Sequence, residues 1–331
     1  MSAAPNLSVQ IVTWNSEDVI GECLASLAAQ SVRDFELVIV DNASRDATVA
    51  RIEAALARGL AATLVRAERN TGFCGGHNLA LGRSRAPWVL LLNPDTTLGA
   101  DFVKRAIETS QRIDADVGTV APLILREDGR IDSTGLFLDR LRRVFDRGQG
   151  RSPALYAREE DVFGCTGAAA LHRRAMLLDV AEGGRPLDER LFAYYDDLDL
   201  SWRAQLRGWR CRYVPSLVVR HARAGRNAVR AEAGRSPRAL EQRLAVRNRL
   251  LVLLKCERLR DALAALPWLV PYEAARLVYV VLRAPRSLPG YADAVRLAPS
   301  FWRSRRIVEQ RARPARLLAA PFFPHVARNA S

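Results

Sequence analysis

The sequence predicts an α/β fold with a mostly parallel central sheet and a helical C-terminal region. Three observations predict it. Short apolar runs alternate with helically spaced stretches through the first hundred residues. One of those runs, FELVIVD, is apolar almost without a break, as a strand covered on both faces must be. After about residue 238 the strand pattern stops and helical spacing takes over.

The elements follow in order. LSVQIVTW, 7–14, is a β-rich run. Residues 17–29 place Val19, Ile20, Cys23, Leu24 and Leu27 on one helical face. FELVIVD, 35–41, is the second strand, and 44–59 opens on Ser and closes on Gly, as a capped helix does. AATLVRA is a third strand, GGHNLALGRSR a short helix and WVLLLNPD, 88–95, a fourth strand. Residues 101–112 read as a helix, followed by an irregular middle whose DG and STG signals mark turns and short strands. FGCTGAAALHRRAML, 163–177, is a strand entering a helix, and RCRYVPSLVVRH, 210–221, is a further strand. A polar linker near 222–237 separates two predicted units, 1–225 and 226–331. The second unit is a basic, mainly helical appendage of proline-broken amphipathic segments.

Composition bounds the function. A chain of 331 residues that is 49% hydrophobic can bury a sizeable core. Its five cysteines, Cys23, Cys74, Cys165, Cys211 and Cys256, are odd in number and nowhere at metal-ligand spacing. They read as reduced thiols of a cytosolic protein. The N-terminus lacks a signal-peptide pattern, and no run reaches the roughly 18 consecutive apolar residues of a spanning helix. The longest uncharged C-terminal run, 262–272, holds two prolines.

The net charge of +14 is uneven. Residues 222–331 carry 22 Lys and Arg against 7 Asp and Glu, a balance of +15 that leaves the rest of the chain near neutral. Such a field favours anionic partners: a membrane surface, nucleic acid or a pyrophosphate-bearing substrate. No helix-turn-helix, zinc or aromatic-basic motif accompanies the arginines, which argues against nucleic acid.

In parallel sheets ligands sit beyond the carboxyl ends of the strands. Those ends carry Asn15, Asp41-Asn42, Asn70-Thr71-Gly72, and Asn93-Pro94-Asp95. Asp95 either holds a hard divalent cation or closes a tight turn. Asp41 is either a partner for a nucleobase N–H or the head of an Asx-turn. NTGFCGGHN, 70–78, is either a glycine-rich approach to a phosphate or a plain turn, for it is neither a GxGxxG nor a Walker motif. His221 gains meaning only if it meets Asp95, when the two could share one metal.

The stretch YYDDLDLSWRAQLRGW, 194–209, packs three acids beside two tyrosines. A helix beginning near Leu198 buries Leu198, Trp202 and Leu206 on one face, with Gly208 at its end. Asp196 or Asp197 then caps it, and Asp199 complements the helix dipole. One acid remains at the helix mouth, free to act as a general base toward a hydroxyl.

Together these pieces resemble family 2 glycosyltransferases of the GT-A fold, particularly the rhamnosyl- and galactofuranosyltransferase-like members. The resemblance rests on IVTWNSEDVIGECLASLAAQ, LVIVDNAS, NTGFCGGHN, WVLLLNPD, GAAALHRRAML, LDERLFAYYDDLDLSWRAQLRGW and VVRHARAG, in that order over residues 7–225. It implies inversion at the sugar C1, a nucleotide-sugar donor, and a divalent metal, Mg2+ or Mn2+. By that resemblance the donor site draws on Thr13, Asn15, Asp41, Asn42, Asn70, Gly72, Asn78 and Asn93, and the metal on Asp95 and His221. Asp197 looks like the catalytic base, with Asp196 beside it as orienter or acceptor contact. Two departures from the family pattern stand out: Asn93 replaces the first acid of the DxD-type motif, and Asp196 replaces the usual Glu of the acidic pair.

The donor expected from the resemblance is dTDP-L-rhamnose. The expected acceptor is a glycan or a polyprenyl-diphosphate-linked sugar in cell-surface polysaccharide synthesis. A non-catalytic nucleotide-sugar-binding module is the competing reading. The C-terminal segments, with Trp, Tyr and Leu beside Arg, read either as an interfacial surface for the inner membrane face or as a homodimer contact.

Overall fold

The computed structural model describes residues 5–223 and 237–312, so most of the predicted linker and the chain beyond 312 lie outside the described residues. One large sheet organises the protein, in the order β10-β12-β6-β11-β4-β1-β2-β3. Here β1 is Leu7–Thr13, β2 Phe35–Asp41, β3 Thr63–Arg66, β4 Trp88–Leu92, β5 Thr96–Leu98, β6 Val117–Leu125 and β7 Ile131–Ser133. The small pair β8 (Leu136–Leu138) and β9 (Val144–Asp146) stands apart, and β10 is Glu160–Val162, β11 Ala169–Arg173 and β12 Arg210–His221.

The four N-terminal strands are parallel, as the alternation predicts. The second half differs: β11 runs antiparallel between β4 and β6, while β6 and β12 pair in parallel. Helices α1 (Ile20–Ala28), α2 (Thr48–Ala57) and α4 (Phe102–Arg112) cover one face; α3 (Gly72–Leu81), α5 (Arg174–Val180) and α6 (Asp196–Leu206) cover the other. In β4 the side chains of Trp88, Leu90 and Leu92 enter one core and those of Val89 and Leu91 the opposite one. That two-sided burial is why the strand reads as a continuous apolar run.

Local details depart from the sequence reading. Helix α2 starts at Thr48, not Ser44: the Asp46 carboxylate accepts from Thr48 N at 3.0 Å, and Ser44 Oγ accepts from Asn15 N at 2.9 Å. Helix α6 starts at Asp196, two residues before the predicted Leu198, with Tyr195 as its N-cap in the left-handed region. Its burial is not confined to one face, because two further helices, α7 (Pro237–Cys256) and α9 (Pro289–Arg311), cover the other side.

The C-terminal helices are therefore part of the core rather than an appendage. Leu251, Val252 and Cys256 of α7 and Phe301 of α9 share one apolar cluster with Trp202 and Leu206 of α6. A third helix, α8 (Leu259–Arg283), continues unbroken through Pro267 and Pro271, contrary to the proline-broken reading. Both prolines are exposed, as is Leu263, so the carbonyls deprived of an N–H partner lie on the outer face of the helix, away from the core. By length and composition α8 is able to cross a membrane.

Helices α7 and α9 approach closely at Gly290, where a Cβ would stand 2.5 Å from the Arg243 carbonyl oxygen and 3.2 Å from Val246 Cβ. Backbone cannot yield as a side chain tip can. Gly290→Ala is expected to cost about 1–3 kcal/mol, typical of overpacking, read as a lower midpoint in urea unfolding.

Candidate active site

Sheet register brings distant acids together. Short β5 follows Asp95 and pairs antiparallel with the end of β12, setting His221 opposite Thr96. Ala222 N donates to the Asp95 carbonyl at 3.0 Å. The His221 ring then stands with Nε2 3.3 Å from Asp95 Oδ1 and Nδ1 2.8 Å from Asp132 Oδ2. Burial alone would lower the imidazole pKa, but hydrogen bonds to Asp132 and Asp95 and their charges raise it to about 9. Burial likewise opposes ionisation of Asp132, yet His221 and Arg223 bring it down to about 2.

The acid pair reaches the same cleft from the other side. The loop before α6 holds Phe192, Tyr194 and Tyr195 at φ of 68°, 67° and 64°, a left-handed run of non-glycine residues. Such residues cost about 1–3 kcal/mol each and persist only where neighbours enforce them. Asn248 of α7 does so: its Nδ2 donates to the carbonyls of Leu191 (3.0 Å), Ala193 (2.8 Å) and Tyr194 (2.7 Å). Arg247 adds a bond to Leu191 O at 2.8 Å.

Both acids fall in the first turn of α6. Asp196 is buried, and its pKa is pushed well up by that burial and then by the Asp197 charge beside it. Asp197, half-buried, is pushed up to about 6 by burial, against the pull of its 2.8 Å bond from Leu198 N, with Asp146 adding repulsion. Asp199 is not a simple dipole partner. It is enclosed in the core, paired with Arg203 Nη2 at 2.6 Å and Lys255 Nζ at 3.1 Å.

A cleft of about 530 Å³ lies between these groups, lined by Asn93, Gly167, Asp196, Asp197, His221 and Arg223 among others. Glu241 and Ala245 of α7 form part of its wall. Asp196, Asp197 and His221 thus share one cleft, which Asp95 adjoins through its contact with His221. His77 and His172 do not: both are core residues whose burial lowers their pKa to about 3.

Thr13, Asn15 and Asp41 gather at the ends of β1 and β2, apart from the residues that line this cleft. Thr13 Oγ1 donates to Asp41 Oδ1 at 3.2 Å, and Asp41 Oδ2 accepts from Ser44 N at 3.0 Å, the Asx-turn foreseen for it. Three expected donor contacts are engaged elsewhere. Asn42 is spent on Gly72 O and on Thr71 N and Oγ1. Asn78 is spent on both the N–H and the carbonyl of Leu187. The space left by Gly72 is taken by protein, since a Cβ there would meet the Phe192 carbonyl oxygen at 2.4 Å. Asn70 Oδ1 accepts from Gly72 N at 2.8 Å. Of the two readings of the glycine-rich loop, close packing against protein is the one seen at Gly72, Gly75 and Gly76.

Sequence reasoning missed Asp132, Asp146, Arg223 and Asn248. IDSTG looks like any turn, and only the pairing of β7 with β6 carries Asp132 under His221.

The Asp95 and His221 donors suit a hard divalent cation. Nδ1 is held by the Asp132 carboxylate, and Nε2, which donates to Asp95, would ligate a cation beside that carboxylate once its proton is lost. Among the described residues no cluster of three or more acidic, thiol or imidazole groups forms a complete metal cage. Mg2+ and Mn2+ are commonly bound by few protein groups plus phosphate oxygens and water, so two donors are compatible with either.

Comparison with known proteins agrees with this architecture. The family model described as glycosyl transferase family 2 matches residues 8–179. The N-acetylglucosaminyl-diphospho-decaprenol L-rhamnosyltransferase of Mycobacterium tuberculosis (strain ATCC 25618 / H37Rv) is 28% identical over 242 residues, 66% of this chain and 76% of that protein. The succinoglycan biosynthesis protein ExoO of Rhizobium meliloti (strain 1021) is 30% identical over 126 residues, and the matched part spans only 36% of that protein. Among solved structures, S. aureus TarS 1-349 in complex with UDP-GlcNAc superposes with a TM-score of 0.56 at 17% identity, covering 92% of this chain and 90% of that one. The mannosyltransferase PcManGT from Pyrobaculum calidifontis, in complex with GDP-Man and Mn2+, gives 0.53 at 18% identity, covering 94% and 86%.

Proposed function

The chain belongs to glycosyl transferase family 2 and acts as a glycosyltransferase on a nucleotide sugar, and from that premise we propose an inverting transferase in which Asp197 is the general base. The observation that carries the reading is that Asp197 and His221 line one cleft. An acceptor hydroxyl seated between them loses its proton to the Asp197 carboxylate as its oxygen bonds to the sugar C1. The nucleoside diphosphate departs on the opposite side with the bonding electrons. A divalent cation held by Asp95 and His221 would stabilise that departing charge. Asp132 orients His221 for this role, and Asp196, whose burial favours its protonated form, offers a hydrogen bond to the acceptor or to Asp197.

The donor is proposed as dTDP-L-rhamnose and the acceptor as a polyprenyl-diphosphate-linked sugar on the cytoplasmic side of the membrane. The M. tuberculosis relative, named an N-acetylglucosaminyl-diphospho-decaprenol L-rhamnosyltransferase, supports the sugar and the polyprenyl-diphosphate-linked acceptor. A panel of dTDP-, UDP- and GDP-sugars, read by nucleotide release with and without acceptor, tests the donor. At least tenfold preference for dTDP-L-rhamnose is expected, and preference for a GDP-sugar sinks the assignment.

Asp132→Asn should weaken Mn2+ activation by about 10–100-fold, as loss of a ligand-orienting carboxylate does. The check is the Mn2+ concentration giving half-maximal transfer. An unchanged value would remove Asp132 from the site.

A further inference from the structure

Helix α8 carries 25 residues, and its most apolar 18-residue window is only 11% buried. From Leu263 to Leu282 no charged side chain is exposed. The outward positions are Leu263 (58% exposed), Trp268 (58%), Val270 (59%), Val278 (56%), Tyr279 (62%) and Leu282 (71%) among others. The two charges in that stretch turn inward: Glu273 Oε1 accepts from Arg249 Nε at 2.7 Å, and Arg276 lies 3.5 Å from Glu273 Oε2. Exposed cations stand at both ends, Arg260 before and Arg283 and Arg286 after. The acid nearest them, Asp261, is already paired with Arg260 at 3.4 Å.

A contiguous apolar stripe of this length on a soluble surface marks an interaction site. We propose that the outward face of α8 docks on an anionic lipid bilayer, the helix lying in the membrane plane beside the active-site cleft. Aliphatic residues face the acyl region, Trp268 and Tyr279 sit at the headgroup level, and the terminal arginines meet lipid phosphates. Charge complementarity selects lipid over a second copy of the chain. Both ends of α8 are cationic, so a second copy laid along it in either direction sets arginine against arginine. The helix lies flat rather than spans, because its inner face is tied to the body: the Arg249 guanidinium also lies 5.3 Å from the Tyr272 ring centroid.

Placement gives the docking a purpose. Arg249 sits on α7, next to Asn248, which holds the acid loop, and Glu241 and Ala245 of the same helix line the cleft. A single helix thus separates the docking face from the catalytic acids, and a membrane-borne acceptor is delivered where they wait. The docking stands independently of the sugar-transfer reading, because the assay below reads binding alone.

The test is flotation of the full chain with vesicles of phosphatidylcholine alone or with one-third phosphatidylglycerol. Wild type should float with the anionic vesicles, and Trp268→Glu/Val278→Glu should reduce the floated fraction at least tenfold with an unchanged thermal melting curve. Leu263→Glu/Leu282→Glu, at the two ends of the stripe, should behave alike. Wild type remaining at the bottom of the gradient overturns the proposal, as does undiminished flotation of both folded variants. A soluble wild-type dimer that these substitutions convert to monomer, without any vesicle binding, assigns the face to a second copy instead.

Discussion

Asp197→Asn is expected to lower the rate of sugar transfer by about 10²–10⁴-fold, the usual contribution of a positioned general base. Donor binding, measured as nucleotide affinity, should hold within about threefold, since the carboxylate faces the acceptor. Asp196→Asn should be much milder, within about tenfold. The difference follows from the environments of the two acids. Asp196 is buried, and that burial and the neighbouring Asp197 charge push its pKa up, which favours the uncharged form that an amide mimics. Asp197, at about 6, is mostly ionised at pH 7 and close enough to it to accept a proton in the transition state. The sign follows directly: the active form is the ionised one, so kcat/KM should fall as pH drops through about 6, to about a tenth of its plateau one unit below. A profile flat from pH 5 to 8, or equal losses in the two variants, would defeat the assignment of Asp197 as base.

Lys255→Met is expected to destabilise the fold by about 3–5 kcal/mol, the typical cost of stripping one partner from a buried ion cluster. Lys255 is fully enclosed, with Nζ 2.9 Å from Glu182, 2.9 Å from Asp188 and 3.1 Å from Asp199. Methionine fills the volume, leaving charge as the change that matters. Arg190 and Arg203 remain to offset three carboxylates. The urea midpoint, with its slope, reads the effect. A loss below about 1 kcal/mol would show that the acids protonate or hydrate without difficulty. Because Asp199 lies three residues after Asp196 on the same helix, activity should fall as well, and Lys255→Arg should recover part of it.

Much of this was legible in the sequence because it is local. The parallel strands of the first hundred residues announce themselves through runs such as VLLL in β4, whose side chains enter two cores at once. The acid pair, Asp95 and His221 could be singled out because each sits where a strand or helix meets polar residues. What stayed hidden depends on contacts over long sequence separation. Asp132 lies 89 residues from the histidine it holds. Asn248 looks like one polar residue in a leucine-rich helix, yet it supports the backbone of the acid loop. The glycines of NTGFCGG left two readings open for a related reason: a missing side chain signals close approach but does not say whether ligand or protein approaches. At Gly72 it is Phe192, and at Gly76 it is Val12, 2.5 Å from where a Cβ would stand.

The Asn248 latch also imposes an order of events during synthesis. Asp197 leaves the ribosome roughly 50 residues before Asn248, a delay of about 3–10 s at ordinary elongation rates. Through that interval the strands of the sheet are free to assemble, while the three left-handed residues before α6 lack the bonds that Asn248 supplies. With Asp197 as the proposed base, the site would take its final shape only once α7 has emerged, beyond the residues 8–179 that the family model matches.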